Sequence, residues 1–226
     1  MARTLRGLVA QELAYTVRRS ARARRVRVRV DPHAGVEVVL PARARDREAE
    51  QAIAELRPWI ERRLAAAAAA VDRLARPAGT VPLLGVDLVL RPQPGRTRVH
   101  RRGDELLVPA DDPRAALERW YRRMARAEIA PRLDEVTAAL GRSYGPLTIR
   151  DQRTRWGSCS TSGAMSFNWR LLLGPPEVLD YVVWHEACHL VVMDHSPRFW
   201  GLLARHLPDH RQPRRWLRAN GSALVL

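Results

Sequence analysis

Tyr181-Val182-Val183-Trp184-His185-Glu186-Ala187-Cys188-His189-Leu190 is an apolar, helix-length run that follows the proline pair Pro175-Pro176 and is interrupted by His185, Glu186 and His189. On a helix, residues four apart share a face, so both imidazoles can reach one metal ion. Glu186 lies about 100° further round the axis, where it can take a proton from metal-bound water instead of ligating. Zinc chemistry asks for that set: neutral nitrogen ligands, an open fourth position, and a base beside the water. At this chain's own His and Glu frequencies the pattern H-E-x-x-H arises by chance with a probability of about 1 in 100.

A third histidine follows. A continued helix would carry His195 about 15 Å along the axis from His185, so it can ligate only if the chain turns back. Asp194 tolerates left-handed backbone, Ser196 is a good N-cap, and Pro197 suits the first turn of a new helix over Pro197 to His206. Metzincins share the spacing H-E-x-x-H-x5-H but place a glycine where this chain has Val192. A closed structural site needs a fourth protein ligand, for which Cys188 and Asp194 are the near candidates, one poorly placed and the other weak. Zinc is the expected cofactor, although imidazole suits several divalent ions.

Upstream, Leu147 to Arg150 and Ala164 to Leu173 read as strands around the loop Trp156-Gly157-Ser158. The second of them is either an edge strand that pairs an extended peptide or an ordinary internal strand. Arg155, Trp156 and Asn168 are candidates to line the cleft, Arg155 as a donor to substrate carbonyls or an oxyanion; packing beneath the site is the plainer role for Trp156. Tyr181, one turn before His185, is a candidate to stabilise a tetrahedral intermediate or orient a ligand. Cys188 and Cys159 read as small buried thiols or as competitors for the metal.

A helix is expected from Pro113 to Gly141, N-capped by Asp112, with Leu117, Trp120, Tyr121, Met124, Ile129, Leu133 and Val136 at helical spacing. Another spans Arg47 to Arg76 and stops at Pro77 to Thr80. Leu83 to Leu90 and Glu105 to Val108 read as short strands, and the turn Asp31-Pro32-His33-Ala34-Gly35 joins a hairpin ending in Val36 to Leu40. The tryptophans at 59, 120, 169, 200 and 216 sit in apolar patterns that suit core packing. The fold class expected is α+β: a basic strand-and-helix part over residues 1–110, then a zincin-like region over residues 111–226 with the H-E-x-x-H helix and a small antiparallel sheet, the two packed as separate or continuous units.

The chain of 226 residues is 46% hydrophobic and 28% charged, which excludes wholesale disorder, and no apolar run approaches the ~18 residues of a membrane span. Two cysteines exclude a disulfide framework, and the first residues lack a secretory signal, so a cytoplasmic location is expected. Its 39 basic residues are all arginine, against 24 acids, for a net charge of +15. From Arg18 to Arg29 seven arginines fall in twelve residues, and Val26, Val28 and Val30 alternate with Arg27 and Arg29, a strand with a basic outer face. Such a face suits a phosphate backbone, or is simply solvated.

Taken together, Arg153-Thr154-Arg155-Trp156-Gly157-Ser158-Cys159-Ser160, Ser166-Phe167-Asn168-Trp169-Arg170-Leu171, Asp180 to Glu186 and His195-Ser196-Pro197-Arg198-Phe199-Trp200 resemble the YgjP-like metallopeptidases, relatives of the SprT-like zinc peptidases. The similarity extends to Tyr15-Thr16-Val17-Arg18-Arg19-Ser20 and Leu83-Leu84-Gly85. It implies a zincin-type site with His185, His189 and His195 on zinc and Glu186 as general base, hydrolysing a protein or peptide substrate. Ala187 stands where the family often has leucine, Trp184 where it often has valine, and Asp194 where it usually has asparagine. SprT-like relatives act on proteins attached to DNA, an analogy that agrees with the Arg18 to Arg29 segment. The rival expectation is a non-catalytic nucleic-acid or partner-binding module with a structural metal.

Overall fold

A computed structural model describes residues 13–31, 34–152 and 155–226. Pro32 and His33 of the expected turn, Arg153 and Thr154 of the arginine motif, and the first twelve residues lie outside the described residues. The fold is mixed α+β, and the chain divides into two compact units at Ala75/Arg76. The boundary expected after residue 110 falls inside the second unit.

In the first unit, β1 (Tyr15–Ser20) runs parallel to β3 (Gly35–Pro41), which pairs antiparallel with β2 (Arg27–Asp31). The arginine cluster is thus split between two strands and the turn joining them, since Arg18 and Arg19 belong to β1. Alternation sends Val36, Val38 and Leu40 to one face, where they pack on Ala49, Ile53 and Ile60 of α1 (Arg47–Arg73). Complete burial of Val38, Leu40 and Ile60 stabilises by about 1.5–3 kcal/mol each. On the opposite face Arg18 and Arg27 flank Val39, which is only 3% exposed, and Thr16 and Arg29 flank Glu37. Glu37 accepts from Arg18 Nε at 2.9 Å and lies 3.6 Å from Arg29 Nη1, so this face is partly self-neutralised.

The second unit opens with a sheet in the order β4 (Thr80–Leu83), β5 (Val86–Gln93), β7 (Glu105–Pro109), β6 (His100–Arg102). The single strand expected over Leu83 to Leu90 is in fact the corner of a hairpin, turned by Leu84 (φ 48°) and Gly85 (φ 86°). Leucine is an unusual occupant of left-handed backbone, and the Leu84 N–H is held by the Leu172 carbonyl at 2.8 Å.

Helix α2 (Pro113–Ala139) begins as expected, with the Asp112 carboxylate accepting from Ala115 N at 3.2 Å. Its buried residues Tyr121, Ala125, Ile129 and Leu133 are fully enclosed. Helix α3 (Pro176–Cys188) is tied to α2 by Arg132, whose Nε donates to Asp180 at 2.9 Å while Nη1 donates to Glu128 at 2.6 Å. Beside them lies a small sheet of β8 (Leu147–Arg150), β10 (Met165–Asn168) and β9 (Gly157–Cys159). It is mixed, not antiparallel throughout, because β10 runs parallel to β8 and antiparallel to β9.

Two expectations change here. Only Met165–Asn168 of the Ala164 to Leu173 segment is strand; Trp169–Leu173 forms a 3-10 turn, because the Asn168 side chain accepts from Arg170 N at 3.1 Å and draws the backbone out of the ladder. β10 is also the central strand, so the internal reading of that segment holds; β8 and β9 are the two edges, and β9 includes Gly157 and Ser158 of the stretch read as a loop. Helices α4 (Pro197–His206) and α5 (Arg211–Asn220) complete the unit. Among the described residues no helix is long and apolar enough to cross a membrane.

Candidate metal and catalytic centre

Helix α3 ends at Cys188, with His189 as its capping residue. The chain then reverses: Val192 N bonds back to Cys188 O at 3.0 Å, the Asp194 carboxylate accepts from Ser196 N at 3.1 Å, and Pro197 starts α4. Ser196 stands at the N-cap without a side-chain cap hydrogen bond. This corner carries His195 back over the helix. His185, His189 and His195 each offer a ligand atom, all within 4.8 Å of one another, and the Nε2 atoms of His185 and His195 are 3.0 Å apart.

The donor set fits a metal ion. Zn–N bonds of 2.0–2.1 Å in tetrahedral array place ligand nitrogens about 3.3 Å apart, close to that separation. His189 Nδ1 donates to the Val192 carbonyl at 3.0 Å, which leaves its Nε2 lone pair for a ligand. Burial, helped by the neighbouring His189, His195 and Arg214, lowers the His185 pKa to about 3, and burial lowers that of His189 as well. Both rings are therefore neutral near pH 7, as ligation requires. Neither Cys188 nor Asp194 joins the group. Burial pushes the Cys188 thiol up to about 12 and, with Glu186 nearby, the Cys159 thiol up to about 11, so both stay protonated.

Glu186 is 7% exposed. Burial raises its carboxyl to about 7, against the opposing pull of the Arg155 charge and a hydrogen bond from the Cys159 backbone. The carboxyl sits against the backbone of β9 at Gly157. A cleft of about 420 Å³ opens over these groups, with Gly157, Ser158 and Cys159 of β9, Met193 and Leu217 in its walls.

The remaining candidates separate. Arg155, Trp156 and Tyr181 line the cleft. Trp156 also packs on Gly221, where an added Cβ would meet its ring at 2.8 Å. Tyr181 is buried, its ring 5.7 Å from that of His185. Asn168 is not among the lining residues: its amide donates to Gln152 O at 2.7 Å and its backbone N–H to Trp156 O at 2.8 Å, holding the segment that leads into β9.

Two residues to which the sequence reading gave no part in the site sit at its centre. Phe199, fully buried, has its ring centroid 4.6 Å from His189 and 4.9 Å from both His185 and His195. Its spacing of four from His195 was the available signal. Trp200, read as core, is instead partly exposed and stacks near His195 at 5.7 Å; Trp120 and Trp169 do fill core, at 5% and 1% exposure.

A sequence model of the family described as YgjP-like, metallopeptidase domain matches residues 24–220. No curated protein matches the chain.

Proposed function

Since the chain belongs to the YgjP-like metallopeptidase family, we propose that it hydrolyses peptide bonds with zinc held by His185, His189 and His195 and with Glu186 as general base. The observation that carries this reading is the convergence of three imidazoles beside a buried carboxyl whose pKa is about 7. What zinc supplies when bound is Lewis acidity toward the scissile carbonyl and the attacking water. Glu186 takes the proton of that water and hands it to the leaving nitrogen, a two-way task that a pKa near the working pH favours. The Cys159 N–H holds the carboxylate in place while it is charged.

Arg155 and Tyr181 stand in the cleft as donors for developing charge on the carbonyl oxygen. Substrate backbone adds as a strand to β9, a reading supported by that strand's place at the sheet edge and in the cleft wall. The absence of a fourth protein ligand in the histidine group, among the described residues, favours catalysis over a closed structural metal. Glu186→Gln is the test: the variant keeps zinc and loses cleavage of an unfolded protein substrate, and undiminished cleavage overturns the assignment.

A second reading, contact with nucleic acid that brings DNA-associated proteins to the enzyme, is favoured by the exposed Arg18, Arg27 and Arg29 on one sheet face. Its test is separate: DNA affinity that is steeply salt-dependent and falls when Arg24, Arg25, Arg27 and Arg29 become Ser; equal affinity before and after removes it.

A further inference from the structure

The three histidines are not held in the same way. His189 is oriented by the hydrogen bond from its Nδ1 to the Val192 carbonyl. His185 has a buried Nδ1 with no hydrogen-bond partner among the described residues, and His195, exposed on its turn, meets His185 through Nε2. Metal-binding histidines are ordinarily fixed by a carboxylate, carbonyl or water on the second ring nitrogen. The protein groups that press on His185 and His195 and can fix them are aromatic rings.

Trp200 is the ring best placed to do this for His195. Its plane lies at 29° to that of the imidazole with a centroid distance of 5.7 Å, and the ring also lies 5.9 Å from His185. The indole is itself fixed from α5, since the Arg214 guanidinium sits 4.4 Å from its centroid and His210 stacks at 6.1 Å. Trp200 is only partly buried, whereas its neighbour Phe199 and Leu203 make the buried side of α4. A side chain with that exposure and that set of neighbours serves the histidines more than the core.

We propose that Trp200, braced by Arg214, is a positioning residue that holds His195 in its ligating orientation. The inference rests on the three-histidine metal reading above. An imidazole that donates its lone pair to a cation becomes electron-poor, and the negative face of an indole attracts such a ring, so the stack favours the ligated form over the free one. Arg214 adds no donor to the metal; it fixes the tryptophan so that less freedom is lost when the ion binds.

The experiment measures Zn2+ affinity of the full chain by chelator competition, with Co2+ absorption as a second readout; peptide cleavage is assayed separately, on the wild type alone. Trp200→Leu is expected to weaken Zn2+ binding about tenfold or more, and Trp200→Phe, which keeps a ring, to restore most of it. Arg214→Lys, which keeps the charge that also bears on His185 but loses the planar guanidinium over the indole, is expected to weaken binding by a smaller factor in the same direction. Melting of the metal-free proteins checks that folding is intact. Wild-type affinity in Trp200→Leu, or equal losses in the Leu and Phe variants, overturns the proposal. Tight Zn2+ binding by wild type without peptide cleavage would sink the peptidase reading and leave this one standing, while no Zn2+ binding by wild type sinks both.

Discussion

Gly157 lies so close to Glu186 that a β-carbon on the glycine would stand 2.5 Å from Glu186 Cγ and 2.7 Å from its Oε1. Strand backbone and the Glu186 carboxyl are packed as one unit. Gly157→Ala must therefore push the carboxyl aside, and displacement of a base by roughly 1 Å costs on the order of 10²-fold in rate. Steady-state cleavage alongside zinc content checks this: rate falls while zinc stays, and unchanged rate would show that the carboxyl has room to move.

Glu186→Gln also has a signature in folding. The folded carboxyl has its pKa raised from 4.5 to about 7, so between those values the unfolded chain gives up its proton first and the wild type loses stability as pH rises. In metal-free protein the stability advantage of the Gln variant should grow from pH 4.5 to about 7 and then level off. His185, lowered to about 3, acts in the opposite sense in both proteins, losing stability as pH falls below 6.5, which is why the difference between them is the quantity to follow in urea melts. A flat difference would mean the carboxyl is not desolvated.

Metal should stabilise the second unit. At free zinc 100 times Kd, binding to the folded state alone adds about 2.7 kcal/mol. Thermal melts with zinc and with chelator should separate accordingly in wild type and coincide in His189→Ala, which removes the proposed ligand whose ring is held by the Val192 carbonyl.

Gly85→Ala places a side chain on backbone at φ 86°, in the turn that joins β4 to β5. Space is not the obstacle, since the nearest atom to the new Cβ is Pro176 Cδ at 3.6 Å. Backbone strain alone should cost about 1–2 kcal/mol, read as a lower urea midpoint.

Much of this was legible in the residues. The long helices and the bounds of α4 follow from periodicity and from Asp112, Pro113, Ser196 and Pro197, which are local signals. The three histidines were readable for the same reason: two are set by helical pitch and the third by turn chemistry. What escaped depends on partners distant in the chain. β1 is a strand because β3 runs parallel beside it, and β9 is three residues that pair only once β10 is in place. Leu84 turns the hairpin because Leu172 captures its N–H. Gly157 acquires its place beside Glu186, and Trp200 its place beneath Arg214, through contacts between elements, which no short window along the sequence contains.

The brevity of β9 sets a condition on what can be digested. Gly157–Cys159 provides ladder positions along about 10 Å of backbone, enough to grip a slack loop or a frayed tail and far too little to pry open a folded domain. On the proposed docking at β9, so small a foothold predicts cleavage of unfolded or frayed chains and not of the same proteins when folded, checked by comparing a folded protein with its denatured form.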